Sequence, residues 1–189
     1  MPDRLTLGFD LGRRLAWALV LDWQLLDHGC FYLASPGPGP PRDAIRRRTL
    51  GDECRLCEQA AGYVRNLLAE KRPAVVALEK PQVPTWLTTG AELRRKARDT
   101  EWLWLLGWYI AREAGAAGAE LAVVTAQEGF AALTGSVSGD KVAHVRLANL
   151  RFGLKLRAGE HHVADAIGVA LAGEAREGHQ ELLRRLGAY

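Results

Sequence analysis

Three short segments place acidic side chains where they could do chemistry together. Asp10 follows an apolar run and lies between Gly8 and Gly12, Glu79 closes the run Ala74 to Leu78, and Asp165 comes four and three residues after His161 and His162. Each acid has an ordinary reading when taken alone. Asp10 can be a turn residue, Glu79 a solvated strand end, and Asp165 an acid near a helix start, where the helix dipole favours negative charge. Taken together, two carboxylates at strand ends and an Asp/His pair at a helix start make a divalent-metal site. Phosphodiester hydrolysis uses such clusters, because two metal ions roughly 4 Å apart can activate a water and stabilise the leaving oxygen. Hard carboxylate oxygens hold Mg²⁺ well for this purpose.

The elements that must position these residues follow from periodicity. Leu5 to Asp10, Leu15 to Leu21 and Gln24 to Leu33 are short apolar or alternating runs divided by Gly12-Arg13-Arg14 and by Asp22-Trp23, which predicts consecutive antiparallel strands. The Pro/Gly segment Ser35 to Pro41 predicts a loop. Apolar residues at three- and four-residue steps predict a helix from about Arg46 to Lys71. Ala74 to Glu79 suits a buried parallel strand. A long helix is expected from about Ala91 to Ala114 and another strand over Glu120 to Thr125. Helices over Ala126 to Leu133 and Asp140 to Phe152 follow, with a last one from about Glu160 toward Leu186. The order predicts an α/β fold, a mixed five-stranded sheet of three antiparallel and two parallel strands flanked by helices. If the fourth strand runs parallel beside the first, Asp10 and Glu79 converge at one sheet edge. On the last helix, either His161 or His162 can share a face with Asp165.

At this level of detail the chain resembles a known family. Leu7-Gly8-Phe9-Asp10-Leu11-Gly12, Val76-Ala77-Leu78-Glu79 and His162-Val163-Ala164-Asp165-Ala166-Ile167 are similar, in order and separation, to the three acidic motifs of the RuvC Holliday junction resolvases, over about residues 4 to 172. The resemblance implies an RNase H-like fold of the retroviral-integrase superfamily and a metal-dependent endonuclease active in DNA recombination and repair. It also implies that Asp10, Glu79, His162 and Asp165 coordinate two Mg²⁺ ions, with Mn²⁺ also supporting activity. Histidine stands where the family most often has an Asp, and the motif register favours His162 over His161. Because a neutral imidazole must bind the metal, activity is expected to fall as the pH drops below about 6.5.

Basic and aromatic residues surround these motifs. A glycine-containing loop, Gly135 to Lys141, runs into a helix, where backbone N–H groups favour phosphate. It lacks Walker A spacing. RuvC proteins have a similar element, which makes Lys141 the candidate for orienting the scissile phosphate; the plainer alternative is a helix-capping loop with a solvated lysine. Arg13, Arg14, Lys80, Arg94, Arg95, Lys96 and Arg98 are candidates for guiding a nucleic-acid backbone toward the metals. Trp86 is a candidate wedge that would stack on bases at a branch point, although the family's aromatic three residues after the Glu is replaced here by Gln82. Trp102, Trp104, Trp108 and Tyr109 leave the long helix apolar around most of its circumference. That calls for a second burial surface, and the family implies a homodimer that makes two symmetric cuts.

The bulk properties fit this reading without deciding it. The 189 residues, 48% of them hydrophobic, suit one domain spanning 1–189. A formal net charge of +3 is too mild to identify a DNA partner, and arginine supplies 20 of the 25 basic residues, five being lysine. The apolar stretch at the start is broken by Asp10, Arg13 and Arg14, and no apolar run approaches the roughly 18 residues of a membrane span. A soluble, cytoplasmic protein of a bacterial or virus-infected bacterial cell is expected, with no membrane partner. Three cysteines argue against a disulfide framework, and Cys54 and Cys57 lack the second pair that a zinc site needs. Three other functions stay open. One is an actin-like or sugar-kinase phosphate lobe, for which the chain is short; another is an RNase H-fold nuclease acting on RNA or RNA–DNA hybrid; the last is a junction-binding protein without catalysis.

Overall fold

A computed structural model describes residues 4–33, 50–82, 90–136 and 140–185, with only the backbone described for 90–99 and 179–185. The strands are β1 (Thr6–Asp10), β2 (Arg14–Leu21), β3 (Gln24–Tyr32), β4 (Val75–Glu79) and β5 (Glu120–Val124). The helices are α1 (Leu50–Lys71), α2 (Gly90–Ala116), α3 (Ala126–Thr134), α4 (Lys141–Phe152) and α5 (His161–Arg185), the last preceded by a single 3-10 turn over Ala158–Glu160. The Pro/Gly segment and the expected start of α1 lie outside the described residues.

The five strands form one mixed sheet in the order β3-β2-β1-β4-β5. β1 pairs antiparallel with β2 and β2 with β3, whereas β1–β4 and β4–β5 are parallel. Asp22 and Trp23 connect β2 to β3 with both φ angles positive, at 48° and 62°. A two-residue hairpin of that hand matches the right-handed strand twist. Thr125 is not the end of β5 but the N-cap of α3, where its hydroxyl accepts from the Glu128 backbone N–H. A residue that can satisfy a free helix N–H is worth more there than in a ladder.

Alternation along the strands gives the sheet two unlike faces. Leu7, Phe9, Leu15, Trp17, Leu19, Val76 and Leu78 face α1 and α2, meeting Leu56, Val64, Leu68, Leu106 and Ile110. On the opposite face, Ala16, Ala18 and Val20 meet Ala166, Ile167, Ala170 and Leu171 of α5, with α3 and α4 packed outside. Farther along, Ala77 and Ala122 meet Val169 and Ala172 of α5. The approach of α5 to β1 is close enough that a Cβ on Gly8 would lie 2.3 Å from the backbone nitrogen of Ala170. Only glycine fits there.

Parity then carries the acids to the same place. Asp10 points to the α5 face with Thr6 and Gly8, and Glu79 with Val75 and Ala77. The parallel register runs Gly8 to Ala77 and Phe9 to Leu78, so one step further sets Asp10 beside Glu79 at the carboxyl edge of the sheet.

Candidate active site

Asp10 ends β1 almost fully buried. Its Oδ2 accepts a hydrogen bond of 2.7 Å from Nδ1 of His162, in the first turn of α5. The small residues between β1 and α5 make this contact possible, because a wider helix-to-sheet spacing would leave the imidazole short. Burial pushes the Asp10 carboxyl above its ordinary range, and the Asp165 charge adds to the rise, against the pull of the His162 hydrogen bond. Glu79 is pushed up to about 7, first by burial and then by the negative charges of Asp10 and Asp165, with Lys141 opposing. Like charges held together in a poorly hydrated spot raise each other in this way.

Asp165 behaves differently. Burial pushes it up, but the His144 hydrogen bond and the positive charge of Lys141 outweigh burial and leave it below the usual carboxylate value. Nδ1 of His144 lies 2.6 Å from its Oδ1, and Nζ of Lys141 lies 3.6 Å from its Oδ2. Ligand atoms of His161, His162 and Asp165 all fall within 4.8 Å of one another. The two imidazoles lie against each other with ring centroids 4.1 Å apart. His161 is held below its ordinary pKa, first by burial and then by the charge of Lys141, which favours the neutral imidazole that a metal requires. His161 thus stands in the compact group with His162, and His162 is the one that reaches Asp10.

The donor set fits a hard divalent cation. Three carboxylates converge on one edge with one or two imidazole nitrogens, and two of the carboxylates are raised, first by burial and then by neighbouring negative charge that a cation would offset. Oxygen-rich donors with imidazole suit Mg²⁺ or Mn²⁺ rather than a thiolate-loving ion. The cysteines contribute nothing here. Cys54 and Cys57 are free thiols one turn apart on α1, and burial pushes Cys57 up to about 12.

The start of α4 carries a side-chain cap, as the plainer reading of the glycine loop allowed. The Asp140 side chain caps α4 by accepting from the Ala143 N–H at 2.6 Å, which occupies a free donor and adds a negative charge. Lys141 nevertheless faces the site, with its side chain 67% exposed and its ammonium turned to Asp165. Residues 137–139 of the loop lie outside the described residues.

The basic residues divide by position. Arg14 is exposed beside the site, donates from Nη1 to the Gly159 carbonyl at 3.1 Å and lies over the Tyr32 ring. Arg13 is exposed in the same turn, and Lys80 is exposed directly after Glu79. Arg94, Arg95, Lys96 and Arg98 lie on the first turns of α2, where only the backbone is described, and Trp86 lies outside the described residues. On α2, Leu106, Ile110 and Ala114 are buried, while Trp104 and Trp108 remain 51% and 59% exposed. Arg112 packs over the Trp108 and Tyr109 rings.

Sequence reasoning missed His144. It is buried, it contacts Asp165, and the signal for it was its place three residues after Lys141, on the same face of α4.

No protein-family model matches the sequence, and no curated protein matches it significantly. Solved structures do match. Thermus thermophilus RuvC aligns with a TM-score of 0.62 and 21% identity, over 92% of this chain and 96% of its own. T. thermophilus RuvC in complex with Holliday junction substrate aligns at 0.61 and 22%, over 93% and 96%. The yeast mitochondrial Holliday junction resolvase Ydc2 aligns at 0.58 and 12%, over 98% of this chain and 83% of its own. With its mixed sheet in the order β3-β2-β1-β4-β5 and helices on both faces, the chain has the RuvC-like form of the RNase H fold.

Proposed function

We propose that this chain is a structure-selective DNA endonuclease that resolves Holliday junctions by divalent-metal-dependent hydrolysis. The observation that carries the reading is the meeting of Asp10, Glu79, His162 and Asp165 at the carboxyl edge of a RuvC-like sheet. T. thermophilus RuvC has this fold and has been captured with Holliday junction substrate.

Asp10, Glu79, His162 and Asp165 would hold the ions, Mg²⁺ by preference and Mn²⁺ as a substitute. When bound, such ions lower the pKa of the attacking water and stabilise the leaving oxygen. The chain supplies the rest. Lys141 orients the scissile phosphate, and Arg13, Arg14, Lys80, Arg94, Arg95, Lys96 and Arg98 draw the DNA backbone across the site. Trp86 stacks at the branch point. The whole chain acts as one nuclease domain on chromosomal or viral DNA in a bacterial cytoplasm. Among the described residues no helix is long and apolar enough to cross a membrane.

A homodimer would give the paired cuts that a four-way junction requires, with the outward face of α2 as the contact. Trp104 and Trp108 are one turn apart on that face and half exposed, as an unpaired interface would leave them. Sedimentation should show a dimer for the native chain and a monomer for the double variant Trp104→Glu, Trp108→Glu. A monomeric native chain would exclude the dimer.

The test of function is nicking of synthetic four-way junctions with Mg²⁺ or Mn²⁺, beside flaps, linear duplex and RNA–DNA hybrid. Junctions should be cut fastest, and Asp10→Asn should lower the rate roughly 1,000-fold, as expected when several kcal/mol of metal-borne stabilisation is lost. Preferential cutting of hybrid would move the reading to an RNA-directed nuclease. Binding without cutting would make the chain a junction-binding protein.

A further inference from the structure

His144 stands outside the four-ligand set but touches it. The residue lies on α4 one turn after Lys141 and is 3% exposed. Its Nδ1 is 2.6 Å from Oδ1 of Asp165. An ionised carboxylate only accepts, so the Nδ1–H of His144 donates. The ring has little freedom to do otherwise. Phe130 of α3 stacks against it with centroids 4.6 Å apart and planes 29° apart, and a Cβ on Gly168 of α5 would lie 3.4 Å from Nε2. Nε2 is itself buried without a hydrogen-bond partner among the described residues. A residue present only to fill this space would do better as an apolar side chain, because a buried unpaired ring nitrogen costs stability.

We propose that His144 is a positioning residue: by donating from Nδ1 to Oδ1 of Asp165, it holds the Asp165 carboxylate in the orientation that a bound divalent cation needs. This rests on the metal-site reading given above. Two residues on one face of α4 divide the carboxylate between them, His144 at Oδ1 and Lys141 at 3.6 Å from Oδ2. The imidazole can hold its oxygen rigidly, since the ring is packed between α3 and α5. Lys141, largely exposed, remains movable and can leave Oδ2 to a cation. Carboxylate ligands are commonly fixed by a neighbouring donor of this kind, and losing the donor lowers metal affinity by about 10–100-fold.

Mn²⁺ binding to the DNA-free protein, followed by calorimetry or by the loss of the free-ion EPR signal, tests the proposal without reference to cleavage. His144→Leu should bind Mn²⁺ about 10–100-fold more weakly than the native chain. His144→Asn, whose amide nitrogen comes near the position of Nδ1, should recover most of that loss. A space-filling role predicts instead that leucine and asparagine differ only in thermal stability. Native affinity in His144→Leu, with binding lost in Asp165→Asn, would overturn the positioning role and leave the metal site standing. A native chain that binds no Mn²⁺ would overturn both. Should His144→Leu fail to fold, His144→Gln takes its place, because its amide reaches the position of Nε2 rather than Nδ1. Asparagine binding better than glutamine supports the proposal, and equal binding overturns it.

Discussion

The two faces of the sheet are packed by different means. Toward α1 and α2 the strands present leucine, phenylalanine, tryptophan and valine, which remove much apolar area from water per residue. Toward α5 they present mainly glycine and alanine, which contribute less burial but let two backbones approach within van der Waals contact. The metal-binding candidates all lie on the second face. A charged cluster requires short, fixed distances between elements, and small side chains supply them. The first face holds the fold together; the second sets where Asp10 meets His162.

Ile110→Ala, on the first face, should have the largest effect on stability. Ile110 is fully buried on α2, and truncations of this kind cost about 2–5 kcal/mol. Chemical denaturation should register the loss, while nicking per folded molecule stays within about threefold of the native rate. On the second face the balance reverses. Gly8→Ala places a methyl against the Ala170 backbone, an overpacking that costs about 1–3 kcal/mol. The helix must move to accommodate it, and a shift on the order of 1 Å at His162 and Asp165 should lower nicking about 100-fold. If Gly8→Ala cleaves normally once folded, the close approach of α5 does not position the site.

The mixed sheet was legible, and so was the convergence of Asp10 with Glu79 on the condition that the fourth strand lies parallel beside the first, because parity and parallel pairing together fix which edge and which face a strand-ending acid occupies. The His162-x-x-Asp165 spacing was legible for the same kind of reason, since helical periodicity is local. His144 was legible only as a residue on the Lys141 face of α4. Its contact with Asp165 depends on how α4 packs on α5, through glycine at 168 and the Phe130 ring of α3, and the spacing within α4 does not encode that partner. At the Gly135 to Lys141 loop the sequence left a phosphate contact and a helix-capping loop both open, and Asp140 does cap its own helix. Thr125 was assigned to a strand although its hydroxyl marks a capping box with Glu128, a pattern visible in the sequence.

Acids on the site face should also differ from one another in their effect on stability. Glu79 is raised to about 7 from an ordinary value of 4.5. In the metal-free fold its proton is favoured, so its contribution is present at low pH and lost as the pH rises through about 7. In EDTA at pH 8, Glu79→Gln should therefore stabilise the fold, by on the order of 1–2 kcal/mol after allowing for partial hydration. The advantage should shrink toward pH 5, while nicking is lost at every pH. A variant no more stable than the native chain at pH 8 would mean that burial and the neighbouring acids do not destabilise the ionised Glu79.

Glu128 has the opposite sign and the smallest effect. Burial pushes it up, but the Thr125 backbone N–H, the Arg176 guanidinium and the Thr125 hydroxyl outweigh burial and hold its carboxyl below the ordinary value. Through these contacts it caps α3 and ties it to α5, with Nη2 of Arg176 2.6 Å from Oε1. A lowered carboxylate contributes stability that is present above its unfolded pKa of about 4.5 and is lost as the pH falls through its folded value. Glu128→Gln should therefore cost under about 1 kcal/mol at pH 7, because the side chain is partly exposed and solvent screens the pair. The difference should shrink as the pH falls below about 4.5, while the difference for Glu79→Gln runs the other way. The tie sits beside α5 but away from its first turn, so nicking should be unchanged. Activity lost in Glu128→Gln without loss of stability would mean that α3 steers the first turn of α5 directly, and the site face would then be a coupled unit rather than a passive close packing.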